Sequence, residues 1–230
     1  MSARHRLLVG VAAVVALAIG FVRFAWIDLW FSGQFWNVTE GFFLQEAWWV
    51  ALSYEIIPPM TFGLIGAALL LLLGNVLRRR PVGRFTNRSL VYLIAVIAIG
   101  PGLVVNVVLK DHWGRARPRD VVEFGGDKQF TPAFVVSDQC PKNCSFVAGH
   151  PSMAFALVAL VLMLARRRRE LLLGGVAAVT LGLVVGFGRI VQGGHFLSDV
   201  VFAGILTIAL AVGLYRLFGL DRPPHPDTET

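Results

Sequence analysis

Apolar runs close to the length of a bilayer-crossing helix recur six times along the 230 residues, and no other feature narrows the possible fold as far. A helix needs roughly 20 apolar residues to cross the hydrocarbon layer. The runs cover residues 7–27, 50–77, 90–109, 151–165, 171–187 and 200–218. The fourth and fifth are short by count, so their ends are expected to reach into the flanking loops. Hydrophobic residues make up 56% of the chain and charged residues 15%, against about 45–50% and about 25% in an ordinary soluble domain. Because the excess sits in runs, a cytosolic globule and a disordered chain are both excluded. The chain reads as an all-α integral membrane protein, a single domain over 1–230 without internal repeats.

Lys and Arg exceed Asp and Glu by 21 to 14, for a net charge of +7. In a soluble protein that balance would suggest nucleic acid. Here most of the arginines stand in blocks beside the apolar runs, as in membrane proteins, so no nucleic-acid partner is expected. Arg4, Arg6, Arg78, Arg79, Arg80, Arg84, Arg88, Arg166 to Arg169 and Arg222 fall on one side of the alternating topology. The other side has no basic residue between Asp28 and Val50, but it holds Lys110, Arg115, Arg117, Arg119, Lys128 and Lys142. The larger, blocky set marks the cytoplasmic side and leaves both termini inside. The basic start before residue 7 also fits a signal peptide, but no small-residue cleavage site follows, so an uncleaved first helix is expected. Pro58-Pro59 is expected to break or kink the outer end of the second span. Residues 221–230, with three prolines, read as a disordered tail.

Two outer segments stand out. Residues 28–49, with Trp26 just before them, carry Trp30, Trp36, Trp48 and Trp49 together with several Phe. Aromatic residues collect at headgroup level, so this segment reads as interfacial. It is either a belt anchoring two helices or a wall along which a lipid substrate approaches. The second segment is the loop 110–150, which contains the only two cysteines, Cys140 and Cys144. A close pair in an exported loop points to a disulfide rather than a metal site.

Three polar stretches fall on this same outer face: 110–118, 145–152 and 188–199. Lys110, Arg117 and Arg189 offer one point charge and two forked donors, which suit a tetrahedral dianion. Gly149 presents a backbone amide at a helix start, where anions are favoured. His195 and Asp199 are four apart and would hydrogen-bond if the last helix begins before His195. A carboxylate on one imidazole nitrogen leaves the other as a nucleophile. His150 then remains as the acid for a leaving alkoxide. Phosphoryl transfer asks for little beyond such positioning and charge neutralisation.

The order Lys110-x6-Arg117-Pro118, Gly149-His150, Arg189-x5-His195-x3-Asp199 resembles the type 2 phosphatidic acid phosphatase (PAP2) superfamily. The resemblance implies a six-helix bundle and a phosphatase that works without a metal or other cofactor, through a phosphohistidine. It makes His195 the nucleophile, Asp199 its partner and His150 the general acid, with Lys110, Arg117, Arg189 and the Ala148-Gly149 turn at the phosphate. The chain departs at Ala148, where the family carries a serine, and at Gly188, where it often carries another. One lost neutral hydrogen bond is worth about 0.5–1.5 kcal/mol, so weakened binding is expected. Within the superfamily, Asn106-x3-Lys110-Asp-His-Trp-Gly-Arg-Ala-Arg-Pro-Arg and Glu123-Phe-Gly-Gly-Asp-Lys-Gln-Phe-Thr-Pro resemble the bacterial lipid A 1-phosphatases, as does the stretch around Cys140 and Cys144. That implies removal of the 1-phosphate of lipid A at the periplasmic face of the inner membrane, with a membrane lipid as partner. Arg115 and Arg119, with Lys128 and Lys142, would meet a headgroup bearing more than one anion, or pair with anionic lipid.

Taken singly, each residue has a plainer explanation. Lys110 and Arg117 would be snorkelling anchors, and His195 and Asp199 helix-cap groups. Asp111 and His112 read as solvated loop, and His5 and His225 lie on the wrong side. Only the joint spacing points to catalysis. Phosphatases of phosphatidylglycerophosphate or undecaprenyl pyrophosphate, and lipid phosphotransferases, would share the phosphate end of the site. A transporter would place its anion site at the midplane on broken helices, and the basic cluster here lies at helix ends.

Overall fold

The computed structural model describes residues 2–221. The tail expected over 221–230 therefore lies, from Arg222 onward, outside the described residues. The fold is mostly helical: α1 Ala3–Arg23, α2 Trp26–Gly33, α3 Trp48–Arg78, α4 Asn87–His112, α5 Gly149–Leu164, α6 Arg168–Val191 and α7 Leu197–Leu217. A two-stranded antiparallel hairpin, β1 Trp36–Asn37 and β2 Gly41–Phe42, sits between α2 and α3.

Four helices, α3, α4, α6 and α7, are long and apolar enough to cross a membrane. A fifth crossing exists if α1 and α2 count as one span, although they meet at 73°. α5 is apolar but shorter, so length supports four or five of the six expected spans. The continuous apolar run at 7–27 gave no sign of that bend, which falls at Phe24-Ala25. The segment 28–49 is likewise more ordered than an interfacial strip, since it holds α2 and the hairpin. Trp30 and Trp48 on it, and Trp26 just before it, are exposed. Pro58 and Pro59 do not end α3, which is helical from Trp48 to Arg78. In α4 the backbone takes the wider π-helical register from Ala98 to Leu109, around Pro101.

Close helix approach is set by small residues, as in other membrane bundles. A Cβ on Gly182 of α6 would stand 2.3 Å from the Phe155 ring of α5, and one on Gly186 2.2 Å from Val200 of α7. The outward faces of α1 and α3 stay apolar and exposed, with Leu7, Val11, Val15, Leu70, Leu73 and Leu77 among them. Helices with apolar outer faces are what a lipid surround requires.

Polar groups close the two ends differently. At the arginine-rich end, Asn75 receives Val82 N–H at 2.6 Å and donates to the Phe85 carbonyl at 2.6 Å. Arg84 donates to the Leu164 carbonyl, and Glu170 accepts from the Arg166 amide at 2.8 Å. At the other end, the long loop folds back over the helix ends. Ser137 N–H donates to the Trp113 carbonyl, and Cys144 N–H to the Lys110 carbonyl. Gly114 has φ +70, and a Cβ there would lie 1.6 Å from the Ser137 carbonyl oxygen, so the turn admits only glycine. Cys140 and Cys144 are joined as a disulfide.

Candidate active site

His195 stands just before the N-cap of α7, not within the helix, and is 1% exposed. Its Nδ1 lies 2.8 Å from the Ser145 carbonyl oxygen and 3.8 Å from Asp199 Oδ2. The hydrogen-bond partner of the imidazole is thus a backbone carbonyl, rather than the carboxylate the i, i+4 spacing suggested. The reason is the helix start: with α7 opening at Leu197, Asp199 turns back to accept the Phe196 amide at 2.8 Å. A carbonyl can only accept, so Nδ1 carries the proton and Nε2 keeps its lone pair. Nε2 is buried and has no hydrogen-bond partner among the described residues. Burial pushes the imidazole down to about 3, with Lys110 and Arg189 acting in the same direction and Asp199 opposing them. At neutral pH the ring is therefore uncharged.

Asp199 is held from several sides. Ser145 Oγ donates to Oδ2 at 2.5 Å, and Arg115 Nη1 to Oδ1 at 2.5 Å. Arg115 is fully buried and also donates to Asp28 Oδ2 at 2.8 Å and to the Thr131 carbonyl at 2.8 Å. Its guanidinium lies over the Phe196 ring at 4.4 Å. With every face engaged inside the protein, Arg115 is not available to a headgroup, which corrects the contact expected for it.

The phosphate-suited cations converge near this histidine. Lys110 Nζ donates to Asn143 Oδ1 at 3.0 Å, and Arg117 Nη2 to the Asn143 carbonyl at 2.6 Å. Asn143 adopts φ +53, and its amide donates to Asp111 Oδ1 at 3.2 Å. Burial, then the neighbouring Arg119, pushes the Arg117 guanidinium below its ordinary value. Arg189 lies over Tyr54 at 4.7 Å, bonds Gln192, and leaves its buried Nε without a partner among the described residues. A Cβ on Gly149 would meet Asn106 Oδ1 at 2.8 Å and Lys110 Nζ at 3.3 Å, so glycine lets the lysine reach the start of α5. His150 stacks on Tyr54 at 4.3 Å. Ala148 is buried at the N-cap of α5, and no side-chain hydrogen bond caps the helix there.

Above these groups opens a cleft of about 820 Å³, with Tyr54, Arg117, Asn143 and Arg189 on its walls. Arg119, Lys128 and Lys142 line it further out, beside Glu46, Asp120 and Asp127. Arg119 lies 3.8 Å from Asp120, and Lys128 3.0 Å from Asp127. Among the residues of this site, Asp28, Tyr54, Asn143 and the Ser145 carbonyl had no expected role. Only Ser145 had a signal, its place beside Gly149-His150.

Three arms of chain, 110–117, 145–150 and 189–199, thus meet around one neutral imidazole and a set of cations beneath an open cleft. Residues 89–223 match the model of the PAP2 superfamily, and the chain belongs to that superfamily: it is a phosphatase. Among its relatives is the lipid A 4'-phosphatase of Francisella tularensis subsp. novicida (strain U112), 41% identical over 223 residues, covering 94% of this chain and 96% of that protein. The lipid A 4'-phosphatases of Rhizobium etli and Rhizobium leguminosarum are each 36% identical, over 56% and 54% of this chain and 50% and 52% of their own lengths. With its membrane-crossing helices, the chain is a membrane lipid phosphatase. The names of these relatives give the 4' position, where the loop stretches pointed to 1-phosphatases. No solved structure matches.

Proposed function

We propose that this phosphatase removes the 4'-phosphate of lipid A at the periplasmic face of the inner membrane, through a phosphohistidine on His195. The observation that carries the chemistry is the buried Nε2 of His195, without a partner among the described residues, while its Nδ1 lies 2.8 Å from the Ser145 carbonyl oxygen. The names of the three relatives favour the 4' position over the 1 position.

In this reaction Lys110, Arg117 and Arg189, with the backbone at Ala148-Gly149, hold the phosphate. His195 Nε2 attacks phosphorus, forming the N–P bond as the P–O bond to the sugar breaks. Burial, then Arg189, Lys110 and Arg117, hold the His150 imidazole down to about 4, and the bound dianion opposes them; His150 in its protonated form gives its proton to the leaving alkoxide. Water then attacks the phosphohistidine, His150 takes its proton, and inorganic phosphate leaves. Asp199 acts on the imidazole mainly through Ser145, since its own oxygen is 3.8 Å from Nδ1. The open cleft takes the remainder of the headgroup.

The test is mass spectrometry of lipid A after incubation with purified protein in detergent, beside His195→Ala. Loss of the 4'-phosphate with the 1-phosphate retained is the expected product. Loss of the 1-phosphate instead would keep the chemistry and overturn the position. Faster release from phosphatidylglycerophosphate or undecaprenyl pyrophosphate would overturn the lipid, and turnover by His195→Ala would overturn the nucleophile.

A further inference from the structure

Asp28 is an aspartate on an aromatic-rich segment, yet it is fully buried. It arrives on α2, after the 73° bend from α1, and lies outside residues 89–223 that match the family model. Each of its oxygens is engaged. Oδ1 accepts the Ser198 amide at 2.9 Å, and Oδ2 accepts Ser198 Oγ at 2.5 Å and Arg115 Nη2 at 2.8 Å. From Arg115 the chain of contacts runs on to Asp199 Oδ1, then from Asp199 Oδ2 to Ser145 Oγ, and from the Ser145 carbonyl to His195 Nδ1. Ser145 is gripped twice, because its amide also donates to the Arg115 carbonyl at 2.9 Å.

We propose that Asp28 is a positioning residue of the phosphatase reaction: acting through Arg115, it fixes Asp199 and Ser145, and so the carbonyl that orients His195. The inference rests on His195 as the nucleophile. The physical reason is that Arg115 has three directions to satisfy in a dry interior. Without the Asp28 carboxylate its Nη2 is left unpaired, and the guanidinium turns away from Asp199 to find another acceptor. Ser145 then loses one of its two anchors, and the imidazole loses its fixed angle to phosphorus. Binding of the substrate phosphate is untouched, because Lys110, Arg117 and Arg189 are held by Asn143, Tyr54 and Gln192 instead. The N-terminal bent helix pair thereby becomes part of the catalytic frame.

The experiment measures kcat, KM and the rate of phosphoenzyme formation on lipid A, with thermal melting as the check on folding. Asp28→Asn is expected to lower kcat and the phosphorylation rate about ten- to hundredfold, with KM unchanged. Asp28→Glu, which keeps the carboxylate, is expected to recover part of that loss. If Asp28→Asn does not fold, Asp28→Glu carries the test alone: it keeps a carboxylate for Arg115 but displaces it, and is expected to show a smaller fall in kcat at unchanged KM. Wild-type kcat in whichever variant folds, or a change confined to KM, overturns the inference. Absence of a phosphoenzyme in the wild type, or turnover by His195→Ala, defeats the nucleophile assignment instead.

Discussion

Arg115 and Arg117 are two residues apart on one loop, yet they live in opposite surroundings. Arg115 is sealed in a dry network with Asp28, Asp199 and Ser198, without any exposed surface. Arg117 lines the open cleft and, among the described residues, bonds only a backbone carbonyl, that of Asn143. The stretch is bounded by Gly114 at φ +70 and by the short 3-10 turn that opens at Pro118. The contrast shows how one short basic stretch serves two purposes. One arginine holds the framework around His195, and the other is left able to meet an anion. A guanidinium that has spent its donors on two buried carboxylates cannot serve as a substrate ligand.

The strongest way to break this contrast is Arg115→Met. It leaves two carboxylates buried without their counter-ion, a loss of about 3–5 kcal/mol. Thermal melting in detergent should fall accordingly, and turnover should vanish with it; an unchanged melting temperature would place Arg115 with the cleft residues after all. An intermediate effect comes from pH. The folded-state value of His195 is about 3 against an ordinary 6.5, so the unfolded chain binds the proton first as pH falls. Stability should decline from about pH 6.5 toward pH 3 and should be independent of this group above that window. Melting curves of the wild type and His195→Ala across that range check it: the wild type should lose more stability on acidification than the variant. The smallest effect is expected at the cleft rim. Arg119 and Asp120 are half-exposed and 3.8 Å apart, so Arg119→Ala should change stability by less than about 1 kcal/mol. A large drop in its melting temperature would erase the distinction between the buried and the open arginines.

Much of the site was legible because its side chains are chemically rare in a membrane chain. Lys110, Arg117, His150, Arg189, His195 and Asp199 stand out against apolar neighbours and keep a fixed order. What stayed hidden has a common cause. The partner of His195 Nδ1 is a main-chain carbonyl, which every residue possesses and no sequence advertises. Asp28 is remote in the chain from Arg115 and sits among tryptophans and phenylalanines, where an interfacial position was the simpler expectation. Asn143 works through a positive φ, and Tyr54 through stacking on His150 and contact with Arg189. Neither property shows in residue type. The helices were legible as apolar runs, but the sharp turn at Phe24-Ala25 was not, since lipid-facing and bend-forming stretches there share the same apolar composition.

The measurement that tests the central claim most directly is rapid-quench trapping during turnover of radiolabelled lipid A, followed by peptide mapping. The label should appear transiently on His195, in an acid-labile and base-stable linkage, and decay as free phosphate is released. Label on another residue, or phosphate release at full rate with no trapped protein label and with His195→Ala still active, would contradict it.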